Sequence, residues 1–520
     1  MRQVANLCEY LEEASGSRPG HLAVMDPSGR RVTYAELHDS ARRIAGFLNA
    51  HGVKSGDRVG VIGPKSVDCV AVFFGVMMAG AAYVPADFTA PAARNRALLS
   101  DCDVKVAFLD RRCAEITDSW PGREAPRIAW LPGPEANGLA RGSKWEDVVS
   151  HEPLTGHRLA GPDGLAYILY TSGSTGKPKG VTLTQENATS FVEWCSSEFS
   201  PVESDRFSSH APFHFDLSIL DLYVSLKHGA QLYLISEDLG KSPRDLAAFI
   251  ANNGLTVWYS TPSILSLLAQ FGGLDEHDCT ALRLALFAGE VFPIKHLRSI
   301  VERWPQAVFY NLYGPTETNV CTFSRIPDRI PPDRAAPYPI GHLCRHCDGL
   351  VLDAPGGSEV APGEEGLLHI AGQPLFQGYW NRSDPDLFFE REGRRYYNTG
   401  DVVRQTPDGY VYVGRRDRMV KRRGYRIELG EIERGLYQNA KIREAAAVAV
   451  PDASANVRIV ACVVPEPGER PSIIELKTFC GQALPSYMNP DIFVVMDALP
   501  RTSTDKVDYQ KLVLLNQRAS

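Results

Sequence analysis

The chain has 520 residues, 44% of them hydrophobic and 22% charged, with a formal net charge of −7. With a mean hydropathy of −0.19, these values describe an ordinary globular protein and exclude a disordered, collagenous or membrane-embedded one. Lys plus Arg is 55 against 62 for Asp plus Glu, and no basic block stands out, which argues against a nucleic-acid or anionic-membrane partner. At about 150 residues per domain the length predicts roughly three or four compact units, so core volume is not limiting. Eleven cysteines, an odd number without regular spacing, read as free thiols in a reducing compartment. Met1 to Asn6 runs into Glu9, Glu12 and Glu13 without an apolar core, unlike a signal peptide. The longest apolar run, 69–84, falls short of the roughly 18–20 residues that span a bilayer. It predicts a buried helix running into a strand, and a cytoplasmic protein.

Along the chain, Ala35, Leu37, Ala41, Ile44, Ala45 and Leu48 recur at helix spacing. A strand at Arg58–Ile62, a helix at Val67–Met78 and a strand at 104–109 follow, the succession of an α/β domain with largely parallel sheet. The pattern resumes after Tyr167, with strands near 232–235, 256–259, 284–287 and 308–310. From about residue 325 to 413, prolines, short strands and Gly-rich turns such as Pro407-Asp408-Gly409 predict a β-rich subdomain. After a linker at 414–418, a helix seeded at Leu429–Glu433, strands at 445–450 and 457–464 and a helix around 473–484 make a small α+β domain.

Tyr167 to Tyr170 reads as a strand emptying into Thr171-Ser172-Gly173-Ser174-Thr175-Gly176-Lys177-Pro178-Lys179-Gly180. Glycines let backbone N–H groups approach a phosphate, hydroxyls donate to its oxygens and lysines offset its charge. Pro178 and the missing upstream glycine exclude a P-loop, so the loop is read as a triphosphate cradle. Asn311-Leu312-Tyr313-Gly314-Pro315-Thr316-Glu317-Thr318 offers an aromatic face for a base, a hydroxyl for phosphate and a hard oxygen for Mg²⁺. Taken alone it also reads as a capped helix start. Asp401 in Thr399-Gly400-Asp401 is placed to accept ribose hydroxyls, although an Asp after Gly is also a common turn. The run from Gly414 to Glu433 reads equally as a basic linker before a solvated helix, and Lys506 as a solvated loop lysine.

In this order and spacing the five motifs resemble the adenylate-forming superfamily of acyl-CoA synthetases, luciferases and nonribosomal-peptide adenylation domains, over residues 20–510. The resemblance implies an α/β protein: a large N-terminal domain, residues 1–416, of two α/β sheets plus a β-barrel-like subdomain, and a small α+β C-terminal lid, residues 417–520. It implies a hinge at Asp417 and catalytic roles for Lys506, Glu317, Thr175 and Lys179, with Lys506 bridging substrate carboxylate and α-phosphate. It puts Asn311 and Tyr313 on adenine, Asp401 and Arg415 on ribose, Thr316 and the loop from Thr171 to Lys177 on phosphate, and Glu317 on Mg²⁺. After adenylation the lid turns, withdrawing Lys506 and presenting the face with Lys421 and Gly424 for thioester formation. The chemistry needs no protein nucleophile: a carboxylate attacks the α-phosphorus of ATP, and catalysis is positioning and charge neutralisation.

Phe215-Asp216 resembles the peptide-synthetase pattern in which the Asp holds a substrate α-amino group; an N-cap is the plainer reading. The other pocket positions that the resemblance implies, Leu217, Leu220, Tyr259, Leu286, Ala288, Leu312, Val320 and Cys321, form an apolar wall for a small, compact substrate. This set is similar to that of stand-alone L-prolyl-AMP ligases, which load proline onto the phosphopantetheine of a peptidyl carrier protein for pyrrole-containing antibiotics and related metabolites. Pipecolate, azetidine-2-carboxylate or a β-amino acid fit the same wall, and an acyl- or aryl-CoA synthetase is the further alternative. Only 14 residues follow Lys506, which predicts a carrier supplied in trans. Cys344-Arg345-His346-Cys347 lacks the second pair of a zinc site, His210 and His214 read as site-lining or structural, and no Gly-x-Ser-x-Gly elbow supports a hydrolase.

Overall fold

The computed structural model describes residues 4–118, 120, 125–133, 142–156, 159–172, 178–416, 418–452, 456–501 and 507–517. Among them the strands form two large sheets and three smaller ones. The nine-stranded sheet is parallel through its centre, where Arg206–Ser209, Val257–Ser260, Leu284–Ala288 and Val308–Tyr313 lie side by side. The seven-stranded sheet carries parallel Ala82–Pro85, Arg58–Ile62 and Val106–Leu109, with Leu165–Thr171 and Lys179–Thr184 antiparallel toward its edge.

Side-chain alternation on these strands builds two cores per sheet. Leu232 and Leu234 face a large central core shared with Val59, Val61 and Phe108 of the other sheet, while Tyr233 and Ile235 face an outer core with Trp258 and Phe287. The helices Tyr34–Ala50 and Val67–Met78 lie in the central layer. Every residue of Val67–Met78 is buried, the composition expected of a helix with no solvent face. Ser66 caps it through Cys69 N, and Thr33 with Glu36 forms a capping box on Tyr34–Ala50. The 69–84 run is thus a buried helix followed by the strand Ala82–Pro85, as expected. No helix among the described residues is long and apolar enough to cross a membrane, and all eleven cysteines are free and buried.

Residues 347–415 form a five-stranded antiparallel sheet. Beyond it, the hairpin Met419–Arg422/Tyr425–Glu428 leads into the helix Leu429–Leu436 and the three-stranded sheet Ile442–Asp452, Asn456–Pro465 and Ile492–Val495. One face of that sheet packs Ala445, Ala447 and Ala461 with Ile427 of the hairpin and with Leu436. The other packs Ala446, Val448 and Val460 with Leu499, Val507 and Leu512. The hairpin on one side and Leu499 and Val507 on the other therefore belong to opposite faces.

Gly75 lets the two central helices touch: a Cβ there would stand 2.7 Å from Ile44 Cγ2 and 2.8 Å from Ala41 O. Gly75→Val is expected to lower stability by about 1–3 kcal/mol through overpacking, read as a fall in the urea midpoint of far-ultraviolet circular dichroism.

Candidate active site

The site lies at the carboxyl ends of the parallel strands, where open α/β sheets bind ligands. Asp216 comes from the segment after Arg206–Ser209, Thr261 follows Val257–Ser260, Gly289 and Glu290 follow Leu284–Ala288, and Thr316 and Glu317 follow Val308–Tyr313. Opposite them, Thr171 ends its strand in the other large sheet.

Against these strand ends the C-terminal hairpin is docked tip first. Its two-residue turn has φ +51° at Arg423 and +81° at Gly424, the positive pair a tight hairpin needs. A Cβ on Gly424 would stand 2.3 Å from Thr261 Cγ2, so glycine serves both the turn and the close approach. Gly424 N donates to Glu290 Oε1 at 2.8 Å, and Ser263 donates to the same carboxylate through its N and Oγ. Ser172 Oγ donates to Arg426 O at 2.6 Å and accepts from Glu428 N at 3.2 Å. Tyr425 stacks on Tyr487 at 4.1 Å and meets Phe215 edge-on at 5.0 Å.

Glu317 is fully buried, and Arg426 Nη1 donates to both its oxygens, at 2.7 and 2.9 Å. Tyr379 OH adds a hydrogen bond of 2.7 Å. Burial pushes the carboxyl up, but the guanidinium and the hydrogen bonds overrule it and hold Glu317 down at about 2. In this arrangement the oxygens of Glu317, the carboxylate expected to meet magnesium, are held by Arg426 and Tyr379.

The other expected nucleotide residues converge, with their groups already engaged. Asp401, 1% exposed, pairs with Arg415 Nη1 at 2.6 Å and accepts from Tyr313 OH, so its oxygens face protein and not open cavity. Lys421 Nζ stands 5.4 Å from the centre of the Tyr313 ring. Asn311 Nδ2 donates to Pro339 O at 3.0 Å. Thr316, expected on phosphate, donates its Oγ1 to Asp216 Oδ2 at 2.7 Å. Lys179 Nζ lies over the Tyr379 ring at 4.8 Å. Asn311, Tyr313, Arg415 and Lys421 nevertheless line one cavity of ≈ 540 Å³, next to Gly289 and Glu290.

A smaller cavity of ≈ 60 Å³ is bounded by Thr171, Asp216, Leu217, Tyr259, Ala288, Val320, Lys421 and Gly424. Burial raises the Asp216 carboxyl above its ordinary value, partly countered by the Thr316 hydroxyl and by Lys421. Four expected pocket residues are not on this wall. Leu220, Leu286 and Cys321 are fully packed into the central core, and Leu312 lines the larger cavity. A third space of ≈ 680 Å³ runs from Phe215 and Leu217 between Thr261, Ile264 and Leu267 on one side and Arg423, Tyr425 and Tyr487 on the other. Gly173, Ser174, Thr175, Gly176, Lys177, Asp417 and Lys506 lie outside the described residues.

Sequence reasoning missed Glu290, Tyr379 and Arg426 as partners. Arg426 stood in a visible charge run, but which of its cations meets Glu317 depends on hairpin pairing 109 residues away in the chain. Glu290, beside Gly289, carried no signal of its own.

Known proteins share this arrangement of domains. Residues 11–380 match the AMP-binding enzyme family and 431–506 its C-terminal domain. The chain belongs to the AMP-binding enzyme family. It is 39% identical to an L-proline--[L-prolyl-carrier protein] ligase of Pseudomonas fluorescens, over 96% of this chain and 97% of that protein. To the ligase of the same description from Streptomyces coelicolor it is 37% identical, over 93% and 92%. The crystal structure of the Vibrio cholerae adenylation domain AlmE in complex with glycyl-adenosine-5'-phosphate superposes with a TM-score of 0.83 at 25% identity, covering 99% of this chain and 98% of that one.

Arg426→Gln leaves Glu317 a buried charge without its cation, a change that costs about 3–5 kcal/mol unless the contact opens. The expected outcome is undocking: amide exchange rises across 419–428 while the Ile442–Asp452 strand keeps its protection. Because the carboxyl is held down, its contribution to docking is complete above its ordinary value of 4.5 and is lost only as pH falls through about 2. Exchange at 419–428 in the wild type is therefore expected to stay low at pH 5.

Proposed function

We propose that the chain activates L-proline with ATP, forming prolyl-AMP and pyrophosphate, and then passes the prolyl group to the phosphopantetheine thiol of a peptidyl carrier protein supplied in trans. The observation that carries this reading is the Asp216 carboxylate at the head of a small cavity with an apolar side of Leu217, Tyr259, Ala288 and Val320, the cations Lys421 and Arg426 reaching it from the docked hairpin. A carboxylate there suits a secondary ammonium, and the apolar walls suit a compact ring. The full-length likeness to two proline–carrier protein ligases supports it, as does the glycyl-adenosine-5'-phosphate held by the similarly folded AlmE.

In this reading the substrate carboxylate oxygen attacks the α-phosphorus of ATP. A P–O bond forms, the bond from that phosphorus to the bridging oxygen breaks, and the electron pair leaves with pyrophosphate. Lys506 bridges the two reacting groups, the loop from Thr171 to Lys177 and Lys179 hold the phosphates, and the ≈ 540 Å³ cavity beside Asn311, Tyr313 and Arg415 takes the nucleoside. Asp401 meets the ribose through the pair it makes with Arg415. Magnesium accompanies ATP by the family resemblance, with Glu317 the residue that would hold it once Arg426 leaves with the undocked hairpin; bound there it would offset the charge of the phosphates.

The domain boundary falls at 416/417, and rotation about Asp417 exchanges the two faces of the C-terminal sheet at the site. The arrangement with Lys421 and Gly424 at the cavity then serves transfer. The pantetheine arm enters by the ≈ 680 Å³ space between Ile264 and Tyr487. Its sulfur attacks the carbonyl carbon, the C–O bond to AMP breaks, and the thiol proton passes to solvent.

Amino-acid-dependent ATP–pyrophosphate exchange tests this, comparing L-proline with pipecolate, valine, 3-aminobutyrate and benzoate. L-Proline is expected to give the highest kcat/KM. Asp216→Ala is expected to lower it about 100-fold, the worth of a charge-assisted hydrogen-bond pair of about 3 kcal/mol. Exchange with benzoate and not proline would remove the ammonium anchor and the substrate assignment with it.

A further inference from the structure

Away from both ligand cavities, the C-terminal domain makes one more charged contact with the body of the protein. Arg94 lies in the first turn of the helix Ala92–Asp101, and Glu431 in the first turn of Leu429–Leu436. Arg94 Nη1 donates to Glu431 Oε1, with the side chains 18% and 4% exposed. Glu431 Oε2 has no hydrogen-bond partner among the described residues. Burial raises the Glu431 carboxyl and Arg94 opposes that rise. Arg94 also acts on the Tyr487 hydroxyl, and Tyr487 is the ring on which hairpin Tyr425 stacks. Neither Arg94 nor Glu431 lines the ≈ 60 Å³ or the ≈ 540 Å³ cavity.

This pair differs in kind from the contacts inside the site. Ser172 and Glu290, which meet the hairpin, also border the ligand cavities, and Glu317 follows Thr316 of the smaller one. Arg94 and Glu431 border neither cavity themselves, and Arg94 reaches the site only through the Tyr487 hydroxyl. Both are largely enclosed in the docked arrangement. A buried pair that opens as a unit therefore acts on the balance between two arrangements and not on the chemistry within either.

We propose that Arg94 and Glu431 are a positioning pair that latches the C-terminal domain in the hairpin-docked arrangement, and so set how the enzyme divides its time between adenylation and transfer. This rests on the two-step reading above. Releasing the latch favours the undocked arrangement, which serves adenylation, at the expense of the docked one, which serves transfer.

The test compares wild type with Arg94→Met, Glu431→Gln and the charge-exchanged double variant Arg94→Glu with Glu431→Arg. Three readouts are taken: proline-dependent ATP–pyrophosphate exchange, single-turnover loading of a phosphopantetheinylated carrier protein, and amide exchange across 419–428 without substrates. Each single variant is expected to keep the exchange rate within about 2-fold of wild type or raise it. Each should slow carrier loading about 5- to 10-fold and raise amide exchange across the hairpin, while the double variant recovers at least part of both. Equal loss of both half-reactions, or loading and hairpin protection unchanged from wild type, overturns the latch. The amide-exchange arm needs no substrate. If hairpin protection falls in the single variants and returns in the double one while the wild type shows no exchange with proline, the latch stands and the substrate reading falls.

Discussion

A carboxylate with no exposure to water must be paired, and Glu317 is such a carboxylate, set at the end of a parallel strand where a ligand site opens. Here its partner is Arg426, which arrives on a hairpin from a different domain. That pair lies at the centre of the docked hairpin. Around it the Gly424 turn meets Thr261 and Glu290, Ser172 meets the hairpin backbone, and Lys421 faces Tyr313. The desolvation of both charges is offset only because the guanidinium reaches both oxygens and Tyr379 supplies a further donor.

The same docking explains why several nucleotide-site residues are occupied by protein groups. Arg426 supplies positive charge to Glu317, Lys421 faces the Tyr313 ring, and Arg415 and Tyr313 share the Asp401 carboxylate. Buried polar groups are costly unless paired: Arg426 of the hairpin pairs Glu317, and Arg415 and Tyr313 pair Asp401. Open space remains beside these pairs in the cavity along Asn311 and Tyr313, in the one bounded by Asp216 and in the one between Phe215 and Tyr487.

Most of the architecture was legible in the sequence because it is written in short periods. The buried helix Val67–Met78, the strand Arg58–Ile62 and the β-rich change of texture before residue 413 follow from apolar spacing and turn residues, which act locally. The family resemblance puts Asp216, Tyr259, Ala288 and Val320 around one cavity, and they do meet there. What could not be read was which polar groups would satisfy one another across the fold. Thr316 turns to Asp216, and Asp401 is enclosed by residues 88 and 14 positions away. The resemblance also puts Leu220, Leu286 and Cys321 on the pocket wall, although strand and helix geometry directs them into the central core. Such partnerships depend on the relative position of elements, on which local pattern is silent.

The placing of the N-terminal strand bears on how the chain is made. Leu22–Met25 pairs in parallel with Gln231–Leu234, through Val24 and Leu232. Synthesis at about 5–20 residues per second separates those partners by roughly 10–40 s. During that interval the helices Tyr34–Ala50 and Val67–Met78 have emerged while one of the two sheets that cover them does not yet exist. The nascent chain thus carries its most apolar helix before its shelter is complete, which makes this stretch of synthesis the moment when a chaperone matters most.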